Sequence, residues 1–211
     1  MPVGNQLHAL AMGEGVCRKK KLFTKKGRVE LESLALGPWA RHRRQELLTM
    51  MDQLDASLQT LDQAVAEQAE QNQAAVLLMT HPGVGPATSL AFVLTIGPVE
   101  RFERSKQVVS YLGLNPREHS SGGRQRLGAI SKQGNPMMRS LLVEAGHTAA
   151  RLDPELRQDY QRLKLRRGSG VAKVAMARKL AVRMYWMLRT PANYAQLVRM
   201  QGSPRGTLVG Q

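Results

Sequence analysis

The residues best suited to chemistry lie between positions 117 and 132, where the chain reads Arg117-Glu118-His119-Ser120-Ser121-Gly122-Gly123-Arg124-Gln125-Arg126 and continues to Ser131-Lys132. A serine that attacks a phosphodiester must lose its hydroxyl proton. It also needs cations close to the pentacoordinate phosphorus, because charge spreads over the non-bridging oxygens. Ser121, with Ser120 behind it, is the candidate nucleophile. His119, two residues from Ser121, would share its side of an extended backbone and could take the proton. Arg117, Arg124, Arg126, Lys132 and Arg139 supply the cations. A plain flexible loop fits the same Ser-Ser-Gly-Gly run, and spacing alone leaves both readings open.

A second constellation is His81-Pro82-Gly83-Val84-Gly85-Pro86, set between two short apolar segments. Glycines on either side of one apolar residue permit backbone torsions closed to other residues and let Val84 plug the turn into a core. A helix-hairpin-helix has this pattern. It turns backbone N–H groups at a positive helix start toward solvent, which makes a cradle for phosphate. Such a cradle formed by Gly83, Val84 and Gly85 positions a nucleic-acid backbone without reading bases. An ordinary tight turn between core helices has the same signature.

Charge points the same way. The 211 residues hold 31 Lys plus Arg against 16 Asp plus Glu, a formal net charge of +15. An excess of that size repels itself unless a polyanion is near, so DNA is the first partner to consider. No run approaches the roughly 18 apolar residues of a membrane span, and no secretory leader pattern opens the chain. A cytoplasmic protein without a membrane partner is therefore expected. The single cysteine, Cys17, agrees with a reducing compartment. Aromatics make up 4%, which argues against arrays of base-stacking platforms. Acidic side chains are scattered or confined to one long segment. No two-metal carboxylate site, zinc spacing, P-loop or dinucleotide fingerprint is present, and no metal or cofactor is expected in this chain.

These residues need elements to hold them, and the pattern predicts an all-α fold: a long coiled-coil-like helix followed by a compact helical domain containing the helix-hairpin-helix. Residues 1–40 read as a basic linker, marked by Arg18-Lys19-Lys20-Lys21 and Lys25-Lys26. Residues 41–75 carry Leu47, Met51, Leu54, Leu58, Leu61 and Val65 in alternating steps of four and three, an a/d seam. An intramolecular hairpin or a homo-oligomer through residues 41–73 would bury it equally well. Residues 76–190 form the compact domain. In it, Asn135-Pro136 opens a helix with N-cap and N1 residues in the favoured order. Asp153-Pro154-Glu155 reads as a helix-start cap with surface charge, and Arg178, Lys179 and Arg183 as the polar face of the last helix. No alternating run demands a sheet, and residues 191–211 read as a disordered tail.

Taken in order, His81-Pro82-Gly83-Val84-Gly85-Pro86, Tyr111-Leu112-Gly113-Leu114-Asn115-Pro116-Arg117, Ser120-Ser121-Gly122-Gly123, Leu127-Gly128-Ala129-Ile130-Ser131-Lys132 and Gly134-Asn135 resemble one family. It is the insertion-sequence transposases of the 110/116/902 group, relatives of the Piv/MooV site-specific invertases. The likeness is dense from Ala75 to Arg151. It implies a transposase in which an amino-terminal RuvC-like domain binds divalent metal, a coiled coil follows, and a carboxy-terminal domain contributes a serine that attacks DNA. That serine falls on Ser121, with Ser120 the fallback. A structured guide RNA is a further partner the resemblance implies. The residues here match the later domains, so a chain lacking the RuvC-like domain is expected, with Mg2+ entering only through that domain.

Overall fold

The computed structural model describes residues 2–17, 21–118 and 127–202. They are helical almost throughout, as the periodicity predicts, and fall into two compact units, one up to residue 63 and one from residue 64 on.

The first unit departs from the expected basic linker. It contains α1 (Val3–Gly13), α2 (Lys25–Ser33) and the first part of α3 (Pro38–Gln71). Leu7, Ala11, Leu22 and Leu31 close a small core with Leu47 and Leu48 of α3. The apolar residues of 1–40 are sparse, so no sustained period shows, yet each short helix needs only one or two of them to cover its partner. Thr24 caps α2 by accepting from the Gly27 N–H at 3.3 Å. Arg28 then grips the Asp52 carboxylate through both terminal nitrogens, Nη2 to Oδ2 at 2.6 Å, and this pairing holds Asp52 below the usual carboxylate range. Arg44 is buried and donates to the carbonyls of Leu31 and Leu34 at 3.0 and 3.1 Å, satisfying the end of α2.

The predicted seam is therefore divided. Leu47 is in the core and Met51 packs at its edge, whereas Leu54, Leu58 and Leu61 are 51–62% exposed.

The second unit continues with α4 (Gln73–Met79), α5 (Pro86–Ile96), a single 3-10 turn (Val99–Arg101), α6 (Ser105–Tyr111), β1 (Pro116–Glu118), β2 (Leu127–Ile130), α7 (Pro136–Leu152), α8 (Pro154–Arg167), α9 (Ser169–Arg189) and α10 (Tyr194–Gly202). Its axis is the packing of α7 on α9. A Cβ on Gly146 would lie 2.7 Å from the Ala177 nitrogen, so the two backbones approach as closely as glycine allows. Leu78, Phe92, Ile96, Val108, Leu112, Met138, Leu142, Met184 and Tyr185 fill the space around this crossing. Asn135 caps α7, accepting from Met137 and Met138 at 2.9 and 3.2 Å, with Pro136 at the first helical position as its sequence predicts.

Two elements differ from expectation. β1 and β2 form a two-stranded antiparallel ribbon pairing Pro116 with Ile130, too short to show as an alternating run. As the Asp153-Pro154-Glu155 start predicts, the charged stretch after residue 153 is a helix, α8, whose apolar contacts reduce to Leu156, Tyr160 and Leu163 on one face. Residues 194–202 are helical rather than a tail, with Ala192 and Leu197 buried; residues 203–211 lie outside the described residues. No described helix is long and apolar enough to cross a membrane.

Candidate nucleic-acid interface

The first predicted element, around Gly83, joins α4 to α5. Gly83 has φ +85°, and a Cβ there would lie 2.5 Å from the Ala149 nitrogen, so α7 admits only glycine at this point. Val84 is buried in the main core, and its N–H reaches the His81 carbonyl at 3.1 Å. Gly85 is the N-cap of α5, exposed, with open space where a Cβ would stand. The first turn of α5 is thus presented beside an uncovered backbone.

A buried polar hub, which the sequence did not announce, braces this turn. His81 is 1% exposed, its Nδ1 lies 2.9 Å from the Pro82 carbonyl and its ring centroid 4.4 Å from that of Tyr194. Burial pushes its pKa down to about 4, against the Pro82 carbonyl and helped by Arg183 nearby, so the ring is neutral at pH 7. Its Nε2 has no hydrogen-bond partner among the described residues. The Tyr194 hydroxyl donates to Asp153, and the Tyr194 N–H donates to Thr80 Oγ1 at 3.1 Å. Arg183 is buried rather than on the solvent face expected for it. Its Nη1 pairs with Asp153 and its Nη2 with Glu155. Asp153 does cap α8, accepting from Leu156 at 2.9 Å, so one carboxylate both starts a helix and neutralises a buried cation.

The second predicted element is the ribbon. Its root is locked by two glycines. A Cβ on Gly113 would stand 1.8 Å from the Gln133 carbonyl oxygen, and one on Gly134 would stand 2.2 Å from that of Tyr111; both have positive φ. Arg139 Nη1 donates to the carbonyls of Gln133 and Gly134 at 2.8 and 3.0 Å and to that of Leu112 at 3.4 Å, tying α7 to the same root. Lys132 sits at φ +58°, a left-handed backbone that costs a non-glycine residue about 1 kcal/mol or more. Its N–H donates to the Gly113 carbonyl at 3.1 Å. Ser131 Oγ donates to Asn115 Oδ1 at 2.8 Å, and Arg117 Nη2 donates to the Ser131 carbonyl at 3.2 Å.

The structure therefore brings Arg117, Lys132 and Arg139 together at the ribbon root, with the Lys132 side chain exposed and one Arg139 nitrogen committed to backbone carbonyls. His119, Ser120, Ser121, Arg124 and Arg126 lie outside the described residues. The Gly83 turn rests on α7 at Ala145–Ala149 while Arg139 is near its start. Ten residues of helix separate them by about 15 Å along the axis. Among the described residues no group of three or more His, Cys, Asp or Glu is placed to hold a metal ion.

The sequence profile of the transposase IS116/IS110/IS902 family matches residues 75–161, which include both elements. The chain is similar to a probable family 20 transposase of Pseudomonas aeruginosa, 35% identical over 150 residues, covering 66% of this chain and 44% of that protein. It resembles the transposase for insertion sequence element IS1111A of Coxiella burnetii at 32% identity over 195 residues, 88% of this chain and 53% of the relative. A pilin gene-inverting protein of Moraxella bovis is 30% identical over 125 residues, 59% of this chain and 38% of that one. The chain spans about half the length of the first two relatives. Residues 75–161, which hold both elements, thus carry the sequence pattern of the transposase IS116/IS110/IS902 family.

Proposed function

We propose that this chain acts in DNA transposition, binding DNA and supplying a serine nucleophile for strand cleavage and transfer. The observation that carries the reading is the ribbon root. The residues flanking Ser121 in sequence, Glu118 and Leu127, are paired strands, and Arg117 and Lys132 stand where those strands leave the helical body. In this reading the Ser121 Oγ attacks the scissile phosphorus, the P–O bond to the departing strand breaks, and the hydroxyl proton passes to a base, His119 being the nearest in sequence. Arg117, Arg124, Arg126 and Lys132 offset the charge that spreads over the non-bridging oxygens. Ser120 is the fallback nucleophile. The Gly83-Val84-Gly85 turn holds phosphate further along the duplex, using the exposed start of α5.

In the family resemblance Mg2+ belongs to a RuvC-like domain. Among the described residues no comparable cluster is present. The exposed Leu54, Leu58 and Leu61 fit a second copy of the chain laid along α3. A guide RNA rests on the resemblance alone.

The test is covalent capture. With end-labelled element DNA and an enzyme containing the RuvC-like domain, the unaltered serine gives a protein–DNA adduct that survives denaturing electrophoresis. Ser121→Ala abolishes the adduct while the mobility shift remains. An adduct of unchanged yield in the variant refutes the assignment. The second reading is a non-catalytic helix-hairpin-helix DNA-binding protein, favoured by the constrained Gly83 turn and the exposed Gly85 N-cap that opens α5. It gives a steeply salt-dependent mobility shift and no strand transfer under any condition.

A further inference from the structure

The ribbon root borders a cleft of about 650 Å³ lined by Arg101, Phe102, Gln107, Ser110, Tyr111 and Gln133, a size typical of sites for small organic groups. Tyr111 is 45% exposed although its neighbours Val108, Val109 and Leu112 are fully buried. The Arg101 guanidinium carbon lies 4.5 Å from the Phe102 ring centroid and 4.6 Å from that of Tyr111. The two rings meet edge to face at 5.5 Å. Among the described residues no carboxylate pairs with Arg101, so its plane is held by aromatic faces and not by an ion pair. Phe102 is anchored in turn, its carbonyl accepting from the Tyr185 hydroxyl at 3.0 Å.

The rim supplies hydrogen-bonding groups. Gln107 Oε1 accepts from the Glu103 and Arg104 N–H groups at 2.8 and 3.3 Å, which fixes the side chain and leaves its amide nitrogen as donor. Gln133 lines the same cleft, next in sequence to the exposed Lys132. A flat, uncharged, hydrogen-bonding ring beside a phosphate is what this combination fits: an aromatic face and a guanidinium plane to stack on, amides for a base edge, a cation for the backbone. A base within an intact duplex cannot enter, because both its faces are already stacked.

We infer that the Arg101–Tyr111 cleft receives a single unpaired nucleobase next to the ribbon that carries the candidate serine. The inference rests on the nucleic-acid reading above and deepens it: the substrate is DNA with a base out of its stack at the site of action. Low aromatic content excludes an array of stacking platforms, not a single one.

The experiment uses the full chain and two duplexes of identical sequence, one fully paired and one with a single bulged 2-aminopurine, followed by anisotropy and by 2-aminopurine fluorescence. The unaltered protein binds the bulged duplex more tightly and quenches the probe. Tyr111→Ala weakens bulge binding by about 5- to 100-fold and removes the quench, with less than about a twofold change for the paired duplex. Tyr111→Phe retains both signals. Arg101→Lys, which keeps the charge but loses the plane, behaves like the alanine variant toward the bulge only. Equal affinity for the two duplexes, or variants that weaken both alike, overturns the inference while leaving DNA binding intact. Failure to bind either duplex overturns both readings, and capture of an acidic peptide by the same cleft would replace the nucleobase.

Discussion

Arg183 of α9 and Asp153, where α7 hands over to α8, meet at 3.0 Å with their side chains only 6% and 3% exposed. Removing Asp153 leaves the buried Arg183 with only the exposed Glu155 as its ionic partner, and breaking such a buried pair costs up to about 3–5 kcal/mol. Asp153→Ala also deletes the cap on Leu156 and the acceptor for Tyr194. Urea denaturation of Asp153→Ala is therefore expected to show a loss in that range. Asp153→Asn, which keeps a capping oxygen, should lose less. The double variant Asp153→Asn with Arg183→Met should recover part of the single loss. A change within about 1 kcal/mol for Asp153→Ala would mean the hub does not hold the unit together.

His81 gives the second unit a pH dependence of definite sign. Burial lowers its pKa from 6.5 to about 4, so between those values the unfolded chain binds a proton that the folded one refuses. Stability is then full above pH 6.5 and falls as pH drops toward 4, by at most about 3 kcal/mol. Asp52, held low by Arg28, and Asp159, held low by Lys179 and Arg162 against its burial, lose their contributions only below about pH 4. Thermal melts from pH 8 to 4 should show the decline, and His81→Gln should flatten it. An equally steep decline in that variant would place its origin elsewhere.

The two glycines of the α4–α5 turn should separate folding from binding. Gly83→Ala forces a Cβ against the Ala149 backbone at a positive φ, and a loss of about 2 kcal/mol or more is expected in chemical denaturation. Gly85→Ala meets open space at an ordinary φ and should leave stability within about 1 kcal/mol. If the start of α5 faces phosphate, Gly85→Ala still weakens DNA binding in a mobility shift. Unchanged binding would remove this turn from the interface.

Self-association through α3 is tested by charge. Leu54→Lys with Leu58→Lys replaces two exposed leucines and leaves Leu47 and Leu48, which close the first core, untouched. Sedimentation should show the variant one oligomeric step below the unaltered chain with the same helix content by circular dichroism. Identical sedimentation of the two would leave the seam without a partner.

Much of the fold was legible where one signal decided the outcome. Asn135-Pro136 read as the N-cap and first position of a helix, and α7 begins there. Residues 1–40 misled because the helices there are short and bury few side chains each, below what periodicity can register. The ribbon hid behind its length. The site was legible in part: the spacing of Gly83 and Gly85 announced a constrained turn, whereas His119 to Arg126 lie outside the described residues. The position of Arg183 was not, since helical period alone assigns it to the polar face; its burial depends on Asp153, 30 residues away in sequence. The pairing of Arg101 with Tyr111 likewise arises from the turn before α6 folding back on its end.

The meeting of Gly113 with Gln133, and of Gly134 with Tyr111, fastens both feet of the ribbon to the helical body. Chain added or resequenced beyond those feet meets a closure cost that rises only as the logarithm of length, about 0.6 kcal/mol for each doubling. Natural variants can therefore alter the tip without retuning the helices beneath it. The burden of preserving the scaffold falls on Gly113, Gly134 and Arg139.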